Sequence, residues 1–301
     1  MGQVIVLGLI AGGIYAIFAV GIVLLYRGTG VLNFAGGELG TAGLYAASFF
    51  VTRNQLPWLV GAVAAVLFAA LIAMSFEFFL VRRAVDADPV VISILTVGLA
   101  VTLFSIEIFI TGQTPQKLRG PIDGGVEVFD FIVGWHSVFA LVLALALGLG
   151  LQSLLRRTDF GLGILAAAQD PAAARLVGVP LARVRMVVWG GAGALAAVAA
   201  LLVEPTVTSF TPGFANTLYL DALAAAVIGR LTSLPGAVVG GIVVGMTEAI
   251  SRHYQSALGF PGSEYVAVLS VLLVTLLARS LMPDLRRRFD ARSYQPAEVS
   301  A

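Results

Sequence analysis

Nine apolar runs, at roughly 4–26, 31–51, 58–80, 90–111, 135–155, 186–205, 214–229, 236–251 and 264–281, take up most of the 301-residue chain. Several approach the ~20 residues with which an α-helix crosses about 30 Å of hydrocarbon. Lipid offers the backbone no hydrogen-bond partners, so such runs fold as helices packed side by side. Composition agrees. Hydrophobic residues are 59% of the chain, charged residues 12%, and mean hydropathy is +0.97, far from the balance of a soluble domain. The expected fold is an all-α integral membrane protein, a polytopic bundle of about 8–10 transmembrane helices in a single domain over residues 1–301. The weakest run is 214–229, which is short and carries Asp221. No Lys or Arg precedes Arg27, so the first run reads as a membrane helix and not as a cleaved signal peptide.

The placement of charge predicts an orientation. With nine crossings, and with Arg82 and Arg83 on the cytoplasmic side, 14 of the 18 basic residues fall inside. Only Arg53, Lys117, Arg119 and Arg252 fall outside. This positive-inside split puts the N-terminus outside and the C-terminus in the cytoplasm. The 156–185 loop is then cytoplasmic, and the 112–134 loop, with Pro115 and Pro121, is extracytoplasmic. The basic tail over 282–301 reads as a cytoplasmic anchor to anionic headgroups.

Several chemistries are excluded. Cysteine is absent, which removes disulfides, zinc thiolates and thiol catalysis. His136 and His253 each lack a metal-ligand partner one helical turn away, so no metal site is expected. No G-x-S-x-G, H-E-x-x-H or paired aspartates occur within the helices, and no catalytic residue is assigned. A net charge of +1 gives no reason to expect a nucleic-acid partner. No nucleotide-binding G-x-x-x-x-G-K-[ST] loop occurs either, so energy comes from an ion gradient or from another polypeptide.

The long polar break contains Ile164-Leu165-Ala166-Ala167-Ala168-Gln169-Asp170-Pro171-Ala172-Ala173-Ala174-Arg175-Leu176-Val177-Gly178. Asp170 can cap free N–H groups, and Pro171 suits the first helical position. Ala172 to Val177 propagate a helix, Gly178 offers a left-handed exit, and Pro180 forbids continuation. A helix of six or seven residues is marginal in water. A partner docked on the cytoplasmic face is the economical way to hold it.

A second constellation is Gly28-Thr-Gly-Val-Leu-Asn33-Phe34-Ala-Gly36-Gly37-Glu38-Leu-Gly40-Thr-Ala-Gly43. Its six glycines each cost a helix about 1 kcal/mol relative to alanine. Either Gly36 and Gly40 admit another helix closely, or the helix is broken here with its free backbone groups facing a protein-lined cavity. Asn33 and Glu38 lie about 140° apart on an ideal helix and share a face only if it is distorted. Glu38 is then either a pathway residue or a structural hydrogen-bonding group. The pattern recurs at Gly236/Gly240 and Gly241/Gly245, followed by Glu248, for which a pathway role and a structural role both stand. Leu234-Pro235-Gly236 reads as the tight turn before this helix. Glu77 is expected to pair with Arg82 or to snorkel, and Glu107 and Glu204 to sit at headgroup level.

Taken in order, these stretches resemble a known family. Gly12-Gly-Ile-Tyr15-Ala, Asn33-Phe34-Ala-Gly36-Gly37-Glu38, Asp170-Pro-Ala-Ala-Ala-Arg-Leu-Val-Gly178 and Gly229-Arg-Leu-Thr-Ser-Leu-Pro-Gly236…Glu248 look like the branched-chain amino-acid ABC importer permeases of the LivH type. Two positions depart from the pattern: Ala172 stands where importers carry Glu, and Arg230 follows Gly229 where a second glycine is usual. The resemblance implies a permease of the bacterial inner membrane that performs no bond chemistry and needs no cofactor, ATP being bound by partner subunits. It implies a second related permease, two cytoplasmic ABC ATPases and an extracytoplasmic substrate-binding protein. Residues 164–178 become the ATPase-coupling segment, and Tyr15, Asn33, Phe34, Gly36, Gly37, Glu38 and Glu248 the substrate pathway. Branched-chain amino acids are the implied cargo, with urea, short amides and other small carboxylates as alternatives. The rival class is an ion-coupled secondary transporter built around Glu38, Asp221 and Glu248.

Single cysteines introduced into this Cys-free chain test the orientation. A membrane-impermeant thiol reagent applied to intact cells is expected to label position 120 and to spare position 172. Labelling of position 172 from outside would invert the topology.

Overall fold

The computed structural model describes residues 2–84, 87–118, 124–128, 131–255, 259 and 261–293. Arg119 and Pro121 in the 112–134 loop, and residues 294–301 of the tail, lie outside the described residues. All nine expected helices are present: α1 (Gly2–Thr29), α2 (Gly36–Ser48, prolonged by a π-helical turn over Phe49–Arg53), α3 (Trp58–Phe79), α4 (Pro89–Thr111), α5 (Trp135–Arg157), α8 (Leu181–Val203), α9 (Phe214–Ile228), α10 (Leu234–His253) and α11 (Ser263–Ser293). Between α5 and α8 lie two further helices, α6 (Asp159–Gln169) and α7 (Pro171–Leu176). Among the described residues, six helices are long and apolar enough to cross a membrane, whereas Phe214–Ile228 and the apolar part of α11, Ser263–Ala278, are shorter. Before α5 an antiparallel hairpin pairs β1 (Gly125–Val128) with β2 (Phe131–Gly134), Gly125 opposite Gly134 and Val128 opposite Phe131. Among the described residues, these two strands are the only departure from an all-α fold.

The core forms around α1. From Gly12 to Leu25 every residue of α1 is buried, so this helix is surrounded by protein on all sides. A helix apolar all round suits that position. Its contact with α10 is made backbone to backbone. A Cβ built on Gly12 would lie 2.7 Å from the Ile242 Cα, and one on Gly241 would lie 2.6 Å from the Ala16 nitrogen. Gly245 in turn rests on the backbone of Gly12 and Gly8. Of the two small-residue pairs read in α10, Gly241/Gly245 makes this seam, whereas Gly236/Gly240 lies against Gly229 and Ala225 at the end of α9.

A second seam joins α3 to α8. Gly61, Ala65, Ala69 and Ala73 recur every fourth residue, which lines them along one face of α3, and all are buried. Gly193 of α8 sits over this stripe, where an added Cβ would meet the Ala69 carbonyl at 2.6 Å. By contrast α4 turns Val90, Ile94, Val101, Phe109 and Ile110 outward, at 60% exposure or more. Large apolar side chains on the rim face lipid or another subunit.

Four expectations need correction. Glu77 is fully buried and pairs with Arg185 at 3.4 Å, not with Arg82, because burial demands a partner that can reach inside. Glu107 and Glu204 are buried, not at headgroup level. One Glu204 oxygen accepts the Leu118 N–H at 2.7 Å, which ties the loop after α4 to the end of α8. Leu234-Pro235-Gly236 is the first turn of α10, capped by Ser233, whose Oγ accepts the Gly236 N–H at 3.1 Å. The turn itself lies just before, where Arg230 and Leu231 adopt positive φ of 77° and 55°. Finally, the helical backbone of α11 runs on to Ser293, past the expected end at 281.

The α1/α10 seam predicts a contrast between two alanine substitutions. Gly245→Ala, which drives a methyl into the Gly12 backbone, should lower the thermal midpoint of the purified protein by the equivalent of about 1–3 kcal/mol. Gly98→Ala, with nothing within 4 Å of the added carbon, should leave the midpoint unchanged or raise it.

Candidate functional site

Residues 30–35 connect α1 to α2 and are not helical. The break begins at Gly30, whose φ of +72° is a left-handed conformation open to glycine. A broken helix at membrane depth must satisfy its freed N–H groups from the surrounding protein. Here side chains do so. The Leu32 N–H donates to Ser93 Oγ at 3.3 Å, and the Phe34 N–H to Thr96 Oγ1 at 2.8 Å, both on α4. The Ala35 N–H donates to Asn33 Oδ1 at 2.9 Å, a local turn that fixes the entry to α2. The Tyr219 hydroxyl of α9 donates to the Asn33 carbonyl at 2.5 Å.

The first turns of α2 then run against α9 and α8 with little between them. A Cβ on Gly36 would overlap the Tyr219 ring, and one on Gly37 would lie 2.7 Å from the Asn216 Cα. One turn on, Gly40 faces Ala196 and Gly43 faces Ala197, both on α8. The two readings combine in part: the chain is broken, with its freed N–H groups on side chains of α4 and of Asn33, and the helix that follows is closely packed. Glu38 is 1% exposed, and one of its oxygens accepts the Asn216 amide at 2.6 Å. Thr41 Oγ1 accepts the Ala215 N–H at 3.1 Å. Glu107 of α4 accepts the Gly213 N–H at 3.3 Å, which brings a second carboxyl to the same neighbourhood. Tyr219 is also held by Phe18 of α1, ring edge to face at 5.8 Å.

The expected pathway residues thus divide into two groups. Asn33, Gly36, Gly37 and Glu38 come together with α9. Tyr15 and Glu248 form a separate pair on the other side of α1, the Tyr15 hydroxyl donating to a Glu248 oxygen while Arg252 pairs with the other. Phe34 belongs to neither group and is 40% exposed. Asn216, Tyr219, Ser93 and Thr96 were missed at the sequence level. An Asn and a Tyr in a short apolar helix were the available signal. Ser93 and Thr96, common in membrane helices, gave none.

The coupling segment is more exposed. Thr158 caps α6 through the Gly161 N–H at 3.0 Å. Asp170 Oδ1 accepts the N–H groups of Ala172 at 2.9 Å and Ala173 at 3.0 Å. Gly178 exits at φ +88° as expected, and the Val179 N–H closes on the Ala174 carbonyl at 3.0 Å. Ile164, Ala167 and Ala174 are buried, while Leu165 and Ala166 are half-buried. Ala168, Gln169, Asp170, Pro171, Ala172, Ala173, Arg175, Leu176, Val177 and Gly178 are exposed. The stub is therefore anchored within its own chain, by α6 and by Ala174, and does not depend on a partner alone for its existence. Its tip is unprotected, with Leu176 89% and Val177 78% exposed. No cluster of potential metal ligands occurs among the described residues.

Lipid-length helices around a broken, polar-lined segment define a polytopic helical membrane protein. A family model described as the branched-chain amino acid transport system permease component matches residues 4–278, and the chain belongs to this family. The high-affinity branched-chain amino acid transport system permease protein LivH of Salmonella typhimurium is 28% identical over 284 residues, 90% of each chain. The probable branched-chain amino acid transport permease protein LivH of Methanocaldococcus jannaschii is 28% identical over 282 residues, 89% of this chain and 88% of its own. The corresponding BraD protein of Pseudomonas aeruginosa is 25% identical over 293 residues, 92% of this chain and 93% of its own.

Removal of the Tyr219 hydroxyl isolates its role. Tyr219→Phe leaves the Asn33 carbonyl buried without this donor and should cost about 1–3 kcal/mol, read as a lowered thermal midpoint. Phe34→Ser, at an exposed site on the same turn, should change the midpoint by the equivalent of less than about 0.5 kcal/mol.

Proposed function

We propose that the chain is the permease subunit of an ATP-driven importer for branched-chain amino acids in the bacterial inner membrane. It supplies the pathway and carries no catalytic site of its own. The reading makes it one of two related permeases, joined to two cytoplasmic ATPases and an external binding protein. In it the N-terminus and the 112–134 segment face outward, and the 156–185 segment and the C-terminus face the cytoplasm.

The observation that carries this reading is the capped stub α7. It presents bare Leu176 and Val177 at its tip and leads within a few residues into α8. That helix is continuous from Leu181 to Val203, and its Ala196 and Ala197 lie against Gly40 and Gly43 of α2. Movement of the stub by closing ATPases is then passed along one rigid helix to the glycine-rich segment. Near its base Arg185 is paired with Glu77 of α3, so α3 moves with it. Alternating access follows as a rigid-body displacement of packed helices.

The test is a reconstituted importer with binding protein and ATP, assayed for L-leucine uptake and for stimulated ATP hydrolysis. Asp170→Ala removes about 1 kcal/mol of capping, and Gly178→Val forces a β-branched residue into a left-handed conformation. Both should lower uptake and stimulated hydrolysis together, Gly178→Val more severely. Full coupling in Gly178→Val would overturn the assignment of the stub.

A further inference from the structure

A cavity of ≈ 790 Å³ lies near the N-terminal end of α1, walled by α1, α5, α9, α10 and the turn after α8. Its walls are largely aliphatic, with Val4, Leu7, Ile10, Ile14, Val203 and Leu218 among the lining residues. One corner is charged. Glu248 accepts from the Tyr15 hydroxyl and pairs with the Arg252 guanidinium.

The two ends of that ion pair are unequal. The Glu248 side chain is 8% exposed and the Arg252 side chain 59%. A buried carboxylate needs a cation beside it, whereas an exposed guanidinium can turn away at little cost. Arg252 already lies 3.9 Å from Glu264 of α11, a second carboxylate able to receive it. The corner thus holds more carboxylate than guanidinium, which suits a positively charged visitor.

We propose that this cavity is a transient site for the zwitterion of an aliphatic α-amino acid, its ammonium replacing Arg252 on Glu248 and its carboxylate engaging the displaced guanidinium. Charge is conserved in the exchange: one ion pair opens and two charge-assisted contacts form. The side chain of the ligand lies along the aliphatic wall, as in apolar pockets with a few converging polar groups. Because the internal pair competes with the ligand, binding is weak, as a point of passage requires. The inference rests on the importer reading for its substrate class, and adds a place within the permease where that substrate is held.

The assembled importer, purified without binding protein, is followed by its thermal midpoint against L-leucine, 4-methylpentanoate and 3-methylbutylamine. The last two are leucine without its ammonium and without its carboxylate. Leucine should raise the midpoint saturably and the two analogues should not. Glu248→Gln should weaken half-saturation about tenfold or more. Ala11→Phe, which fills the cavity and leaves the charged corner intact, should do the same, so a poorly folded Glu248→Gln protein does not decide the matter. A leucine effect that is absent, that is matched by the analogues, or that survives Ala11→Phe overturns the site. ATP-driven leucine uptake by the wild-type importer with binding protein is measured in parallel. Uptake without a leucine shift overturns the cavity site alone. A leucine shift without uptake upholds the site and overturns the importer reading.

Discussion

Helices in lipid gain nothing from hiding apolar side chains from one another, since the surrounding tails are equally apolar. Association has to come from close contact, and in this chain the most extensive contact is that of α1 with α10. Gly8 and Gly12 on one side, with Gly241 and Gly245 on the other, remove the side chains that would keep the two backbones apart. The rest of the bundle depends on that approach. With α10 against it, α1 can be enclosed by α5, α8 and α9 as well, and its buried length from Gly12 to Leu25 becomes the surface on which the shorter helices are laid. The α3 stripe of Gly61, Ala65, Ala69 and Ala73 repeats the device one layer out.

Polar groups follow the opposite logic. Five buried glutamates are each found on a donor from a different element: Glu38 on Asn216, Glu77 on Arg185, Glu107 on the Gly213 N–H, Glu204 on the Leu118 N–H and Glu248 on Tyr15. An unpaired carboxylate in this environment is far more costly than a paired one. Such contacts are specific where the glycine seams are not. They fix register and rotation among helices whose apolar surfaces would otherwise slide.

The helices were largely legible in the sequence, because lipid imposes a single length scale and six of the described helices obey it. The capped stub was legible for a different reason. Asp170, Pro171 and Gly178 are punctuation whose meaning is local, and the structure places all three in the expected roles. What could not be read was pairing across the bundle. For Glu77 the sequence suggests snorkelling or a pair with Arg82, five residues away, whereas its partner Arg185 is 108 residues distant. Glu107 and Glu204 were placed at the surface because sequence position near a helix end says nothing about what folds over it. The Pro235 turn was set a few residues late, since Pro suits the first turn of a helix as well as a loop. Helix α6 went unread because Gly161 and Gly163, each unfavourable within a helix, fall in its first turns.

The unwound stretch between α1 and α2 has one further property. In an intact helix, a change of backbone angle breaks a carbonyl bond for which lipid has no substitute. Here the N–H groups of Leu32, Phe34 and Ala35 rest on Ser93 Oγ, Thr96 Oγ1 and Asn33 Oδ1. The two hydroxyls are held in turn, Ser93 Oγ donating to the Pro89 carbonyl at 2.8 Å and Thr96 Oγ1 to the Ser93 carbonyl at 2.6 Å. Each therefore accepts from the unwound stretch and donates to α4 at once. A displacement of α4 is carried directly into the backbone of the break.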